Sequence, residues 1–339
     1  MKPTLPALQS LRFLCVMFVL LHHAYPDTTS AAGHTAMVLC EGSVAFFFIL
    51  SGYVHCLAYG NGIQRGTTGW TTFMRRRLQR LYPLHALCLA LYVLSYIRHL
   101  PELDASTLVA SLLLVQSWIP IHDVYYGGNA VAWFLSSLLL CCALFPLLYR
   151  ALFCGGRTVR IILAVGGTIL YGALLWYNTD AEAYVYVAPY ARLADFAVGM
   201  GMARWMTHVG VRSEWQAMAG KAVAFVLIAL VVVVYRAVPE SLRVCSIYWP
   251  ACLALLYGYA LPSPTDEQPN IVRRTLRRLG DLSFPFYMIH IIALHGVNNV
   301  YEHLFHDTTP LPVTLAGTVL VALVFAYVYH SFTVKSHKP

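Results

Sequence analysis

Residues 12–25 read RFLCVMFVLLHHAY, a run apolar enough to cross a bilayer except for Arg12 and the pair His22-His23. Charged and ionisable side chains inside such a helix are costly and are kept where they pair or act. At 100° per residue, the eleven steps from Arg12 to His23 make three turns plus about 20°, so the two share one helix face about 16 Å apart along the axis. His22 points roughly 80° off that line. Asp27 follows His23 at i+4, within reach of its imidazole if Pro26 does not turn the chain away.

Similar apolar runs recur along all 339 residues, of which 59% are hydrophobic and 11% charged, with a mean hydropathy of +0.62. A soluble domain carries about 25% charged residues. The chain therefore reads as all-α, a polytopic membrane helix bundle. Spans are expected near 8–26, 38–58, 82–99, 131–153, 160–177, 189–208, 219–238, 246–261, 281–300 and 311–332. The stretch 106–120, ending in Trp118-Ile119-Pro120, is expected as a half-span. Residues 1–339 form one transmembrane domain with no separate soluble unit expected, and the first apolar stretch is read as a retained span.

Basic residues set the orientation. With both termini cytoplasmic, only Arg98, Arg192, Arg236 and Arg243 of the 23 Lys and Arg fall on the outer half. Making 106–120 a full span would put Arg157, Arg160 and the Arg273–Arg278 cluster outside, so about ten spans plus the half-span is the reading that agrees with the rule. The charge of +8 thus encodes orientation toward the lipid bilayer, and no nucleic acid partner is inferred. Nine cysteines without a CxxC or a Cys/His pair at ligand spacing suggest small buried side chains, with no metal site expected. The outer loops are rich in acids, among them Glu41, Asp104, Asp180 and Glu182, with Tyr125, Tyr126, Tyr184 and Tyr186 nearby. They form either an interfacial belt or a polar, aromatic vestibule suited to a sugar.

Five segments together resemble one family. LQSLRFLCVMFVLLHH is similar to the start of the membrane acyltransferase-3 family, whose first helix carries Arg, ten residues, then His; here these are Arg12 and His23. SVAFFFILSGYV is similar to the family's FF-x-x-SG signature and brings in Ser51 and Gly52. MRRRLQRLYP resembles R-x-x-R-x-x-P, with Arg77, Arg80 and Pro83, and Arg75 and Arg76 adding charge. PYARLADFAVGMGMA resembles R-x-x-[ED]-F, giving Arg192 and Asp195 three residues apart on one face. LGDLSFPFYMIHIIALH resembles the late Leu-Gly-x-x-Ser…Tyr-x-x-His motif, giving Gly280, Ser283, Tyr287 and His290. The W-x-L-S segment at Trp133–Ser136 also matches, while Ala45 and Leu138 stand where many members carry an acid.

The resemblance, over residues 5–332, implies transfer of an acyl group, acetyl by default, from cytoplasmic acyl-CoA to an extracytoplasmic sugar, polysaccharide or lipid-linked glycan. It implies acetyl-CoA as co-substrate, no bound cofactor, and a bacterial cytoplasmic membrane. Arg76, Arg77, Arg80, Ser51 and Gly52 then hold the acyl-CoA, because guanidinium groups match phosphate oxygens bidentately. His23 serves as acyl acceptor or base, with Arg12, Asp27 and His290 beside it in the reaction. Arg192, Asp195 and Tyr287 face the acceptor. Two other readings stay open: a transporter of a polar metabolite, from intramembrane Arg and His, and a non-catalytic sensor or assembly partner, from the missing acids. Alkaline phosphatase fused after Asp180 is expected to be active outside the cytoplasm and one fused after Arg65 silent; an inactive Asp180 fusion would mean that 106–120 spans.

Overall fold

The computed structural model describes residues 6–25, 27–96, 104–177, 180–209, 213–260 and 271–336. Lys2, Pro26, Arg98, Glu102, Arg212 and Lys338 lie outside them. All regular structure among the described residues is helical. In chain order the α-helices are α1 Pro6–Ala24, α2 Ala31–Gln64, α3 Trp70–Ser95, α4 Ala105–Leu112, α5 His122–Tyr125, α6 Trp133–Tyr149 and α7 Arg157–Tyr177. They continue as α8 Pro189–Val209, α9 Glu214–Val234, α10 Glu240–Arg243, α11 Trp249–Tyr259, α12 Ile271–Phe305 and α13 Leu311–Ser336.

Local chemistry sets several of the starts. The Ser30 hydroxyl accepts from Gly33 N at the head of α2, and Asp104 accepts from the Ser106 and Thr107 amides at the head of α4. Ser213 and Gln216 close a reciprocal capping box on α9, which satisfies donors that a helix start leaves unpaired.

Helices occupy all ten places where the sequence expects spans. Among the described residues six are both long and apolar enough to cross a membrane: Ala7–Ala24, Ala31–Gln64, Ala130–Cys154, Arg157–Trp176, Glu214–Ala237 and Leu311–Thr333. The helices at the other four places, α3, α8, α11 and α12, carry charges or are short. At 11 residues, α11 is about 16 Å long, less than a bilayer's hydrocarbon thickness. The 106–120 stretch forms the eight-residue α4 and a 3-10 turn at Gln116–Trp118, broken by Leu114 at φ 56°.

The middle of the bundle is α2, which packs on α1, α6 and α8, while α12 packs on α1 and α13. Two glycines let α2 and α8 touch backbone to backbone: a Cβ on Gly52 would meet the Phe196 carbonyl, and one on Gly199 the Ile49 carbonyl. Gly280 similarly brings α12 onto the Gln9 backbone of α1. Small residues at such crossings are the usual means of close helix approach in membranes. On the outside, α7, α9 and α13 present Leu170, Val233 and Phe332 in the open, as a lipid-facing surface requires. Gly199→Leu is expected to destabilise the bundle by about 1–3 kcal/mol through overpacking. Gly201→Leu, whose Cβ meets nothing within 4 Å, should leave the thermal midpoint in detergent close to wild type.

Candidate active site

The α1 stripe read from the sequence meets two other helices. A cavity of about 360 Å³ opens between α1, α2, α3, α6 and α12, and Arg12, Arg77 and Arg80 line it together with Ser51, Ser283 and Tyr287. Phe47, Leu50, Phe134 and Leu138 make the apolar part of its wall. Three guanidinium groups from two helices therefore face one space, and among the described residues the lining contains no carboxylate. Arg12 and Arg80 act on each other electrostatically, and Asp281, on α12, acts on both from outside the lining. Arg77 lies over the Tyr59 ring, 4.7 Å from its centroid, and its buried Nε has no partner. Arg76 is exposed beside them. Gly52 is engaged against α8, so its contribution is to let α2 approach.

A second chamber is larger, about 710 Å³, between α8, α9 and α11. Its walls are Trp205, Trp215, Val223, Tyr257 and other apolar groups, with Gln216 their polar member, and none of the sequence-derived site residues reaches it. Chemistry rather than volume assigns the site to the smaller one.

Beyond Tyr287 the cavity gives way to imidazoles. The Tyr287 ring lies 5.7 Å from that of His290, and His290 lies 5.4 Å from His23. His290 is fully buried, whereas His23 is exposed. His290 Nδ1 sits 2.6 Å from the Tyr287 carbonyl. A carbonyl only accepts, so in the neutral ring Nδ1 carries the proton and Nε2 keeps its lone pair. From Arg12 and Arg80 through Ser283, Tyr287 and His290 to His23, the polar groups form one file across the bundle. It begins with cations and ends with an exposed imidazole.

Two expected roles are not what the structure builds. Asp27 turns away from the file: its Oδ1 accepts from the Thr29 amide at 2.9 Å and the Thr29 hydroxyl at 2.5 Å. These bonds hold its carboxyl below the ordinary range. The neighbour that His23 receives is His290, from a helix distant in sequence. A local turn has captured the carboxylate, as short Asp side chains do.

Arg192 and Asp195 are expected at the acceptor, yet both side chains are wholly enclosed and pair at 2.7 Å. Asp195 also accepts from Trp249 Nε1 at 2.5 Å and Cys245 Sγ at 3.1 Å. Arg192 Nε donates to the Tyr186 carbonyl at 2.5 Å, and its guanidinium lies over Tyr186, Phe48 and Trp133. With their hydrogen bonds spent inside the protein, these two side chains join α8 to the approach of α11. Losing one partner of such a pair leaves a buried charge alone and is strongly destabilising.

The acids and tyrosines read from the outer loops are also partly committed. Glu41 accepts from the Tyr235 and Tyr248 hydroxyls, and Tyr126 donates to Glu182 at 2.7 Å.

His55 joins the site without having been singled out. It lines the cavity one turn below Ser51, with Nδ1 bonded to the Ser51 carbonyl and Nε2 3.6 Å from Cys142 Sγ. The only sequence signal for it is the i+4 spacing from Ser51, which places both on one face. Asp281 was similarly legible only as the residue after Gly280.

The chain is 28% identical over 322 residues to "Acyltransferase MdmB" of Streptomyces mycarofaciens, covering 86% of this chain and 79% of that one. It is 33% identical over 100 residues to "Protein 2 in picA locus" of Rhizobium radiobacter, covering 28% of this chain and 49% of that protein. No solved structure matches. The profile of the family described as "Acyltransferase domain" matches residues 5–330, nearly the whole chain, and the protein therefore belongs to the acyltransferase-3 family.

Proposed function

We propose that the protein is a membrane-bound O-acyltransferase that uses cytoplasmic acyl-CoA, acetyl-CoA by default, and acylates a hydroxyl of an extracytoplasmic sugar, polysaccharide or lipid-linked glycan. The observation that carries this is the file of polar groups, with three guanidiniums around a cavity at one end and an exposed imidazole at the other. Donor and acceptor lie on opposite sides of the bilayer, so the reaction needs a phosphate-attracting inner end joined to chemistry farther out. With about ten spans and both termini cytoplasmic, Arg12 lies toward the cytoplasm and His23 toward the exterior. The membrane is a bacterial cytoplasmic membrane, in keeping with the bacterial relatives.

In this reading Arg12, Arg77 and Arg80 hold the CoA phosphates as bidentate partners. Ser51 and His55 line the path of the thioester. Tyr287 stands at the inner limit of the imidazole pair. His23 takes the acyl group onto nitrogen or removes the hydroxyl proton, with His290 beside it. Arg192 and Asp195 keep the bundle in register and do not touch the acceptor.

A non-catalytic role draws on one observation: Leu138, where many relatives carry an acid, is part of the apolar cavity wall. CoA release from labelled acetyl-CoA by purified protein separates the readings. His23→Ala should lower turnover about 100-fold or more, the scale of a lost acid–base or nucleophilic group. His22→Ala, off the Arg12 face, should stay within about threefold, and Arg80→Ala should raise KM about 10-fold or more, the scale of a lost charged hydrogen bond. Acetyl-CoA binding by wild type with no release of CoA would instead establish the non-catalytic role.

A further inference from the structure

The chain just before α6 is pinned to α12 next to His290. Asn129 Nδ2 donates to the Met288 carbonyl at 2.7 Å, and the Tyr287 hydroxyl donates to the Val131 carbonyl at 3.2 Å. Because that carbonyl can only accept, the amide of Asn129 is oriented with its NH₂ toward α12. Its Oδ1, on the other arm, is a buried acceptor with no donor, on a residue that is 1% exposed. His290 repeats the pattern two residues along α12 from Met288. With Nδ1–H on the Tyr287 carbonyl, its buried Nε2 is a lone pair that has no donor either.

Folded proteins rarely leave buried polar atoms unpaired, and each exception calls for an explanation. Of the eleven such side-chain atoms among the described residues, these two belong to groups tied to one turn of α12, and both are acceptors. What they lack is a molecule that donates, and hydroxyl groups do so. His23, one ring away at 5.4 Å and exposed, marks the side from which such a molecule enters.

We propose that Asn129 and His290 form the hydroxyl-binding subsite for the acceptor, built for a polyol with neighbouring hydroxyls. One hydroxyl donates to His290 Nε2 and attacks, and its neighbour donates to Asn129 Oδ1 and fixes the orientation. This inference rests on the acyl-transfer reading. In the transfer step the O–H bond breaks and its proton goes to His290 Nε2, while the oxygen forms the ester bond to the acyl carbon. The bond from that carbon to its leaving group, the His23 nitrogen, breaks, so that of the two roles open to His23 this step takes the acyl carrier. The leaving group takes the electron pair and receives the proton that His290 gives up. His290 is then a catalytic residue as base, and Asn129 binds the acceptor.

Purified protein with acetyl-CoA and one of two acceptor probes, glycerol or hydroxylamine, tests this. Glycerol needs a base and offers neighbouring hydroxyls, whereas hydroxylamine is a strong nucleophile that needs neither. The readout is the ratio of glycerol-supported to hydroxylamine-supported CoA release, each taken above an enzyme-free blank because hydroxylamine also cleaves thioesters unaided. In Asn129→Ala the ratio should fall about 10-fold, carried by KM for glycerol, the scale of one hydrogen bond to a bound substrate. Asn129→Asp, whose protonated form keeps one donor and one acceptor, should recover part of it. In His290→Gln the ratio should fall about 100-fold, carried by kcat. An unchanged ratio in either the Ala or the Gln variant overturns the subsite, as does a wild type that uses hydroxylamine but not glycerol. A wild type that releases no CoA with hydroxylamine overturns instead the acyl-transfer reading beneath it.

Discussion

Three guanidinium groups around a cavity whose lining, among the described residues, has no carboxylate is the constraint from which the rest of the molecule follows. Like charges gathered in a medium of low dielectric repel strongly unless something opposes them. Asp281 opposes Arg12 and Arg80, and Arg77 lies over the Tyr59 ring. Holding Arg12 near Arg77 and Arg80 requires α1 and α3 to share a space with α2 and α12. The close approach at Gly280, which sets α12 on α1, and the paired glycines between α2 and α8 serve that geometry.

The contrast with Arg192 is instructive. It too is an arginine in an apolar bundle, but its ion pair with Asp195, the Tyr186 carbonyl and three aromatic faces satisfy it completely. The same side chain is a packing element at Arg192, where its partners are inside the protein, and lines a cavity at Arg12, Arg77 and Arg80. The histidines divide the same way: both ring nitrogens of His55 have neighbours, whereas His290 Nε2 has none.

Much of this was legible in the sequence because helical geometry is regular. The Arg12-to-His23 stripe, the Arg77/Arg80 spacing and the Ser283–Tyr287–His290 face follow from turns of 3.6 residues, and the structure brings the cationic and imidazole ends of that file together. Hydropathy located helices at ten places. It did not reveal that α11 is short, since an apolar run gives no sign of where a chain turns. Asp27 bonds to Thr29 two residues away, a shorter reach than the one to His23 that the i+4 spacing suggests. Arg192 and Asp195 were read as facing the acceptor because their three-residue spacing shows mutual reach but not enclosure. Asn129 and His55 were invisible since their meaning lies in contacts with Met288 and Cys142, 159 and 87 residues away.

The most direct measurement is an experimental structure of the protein with acetyl-CoA. Its phosphates are expected against Arg12, Arg77 and Arg80, with the thioester directed past Ser51 toward Tyr287 and His290. CoA density lodged on the Arg273–Arg278 surface, or in the apolar chamber between α8, α9 and α11, with the arginine cavity empty, would contradict the assignment of that cavity as the donor site.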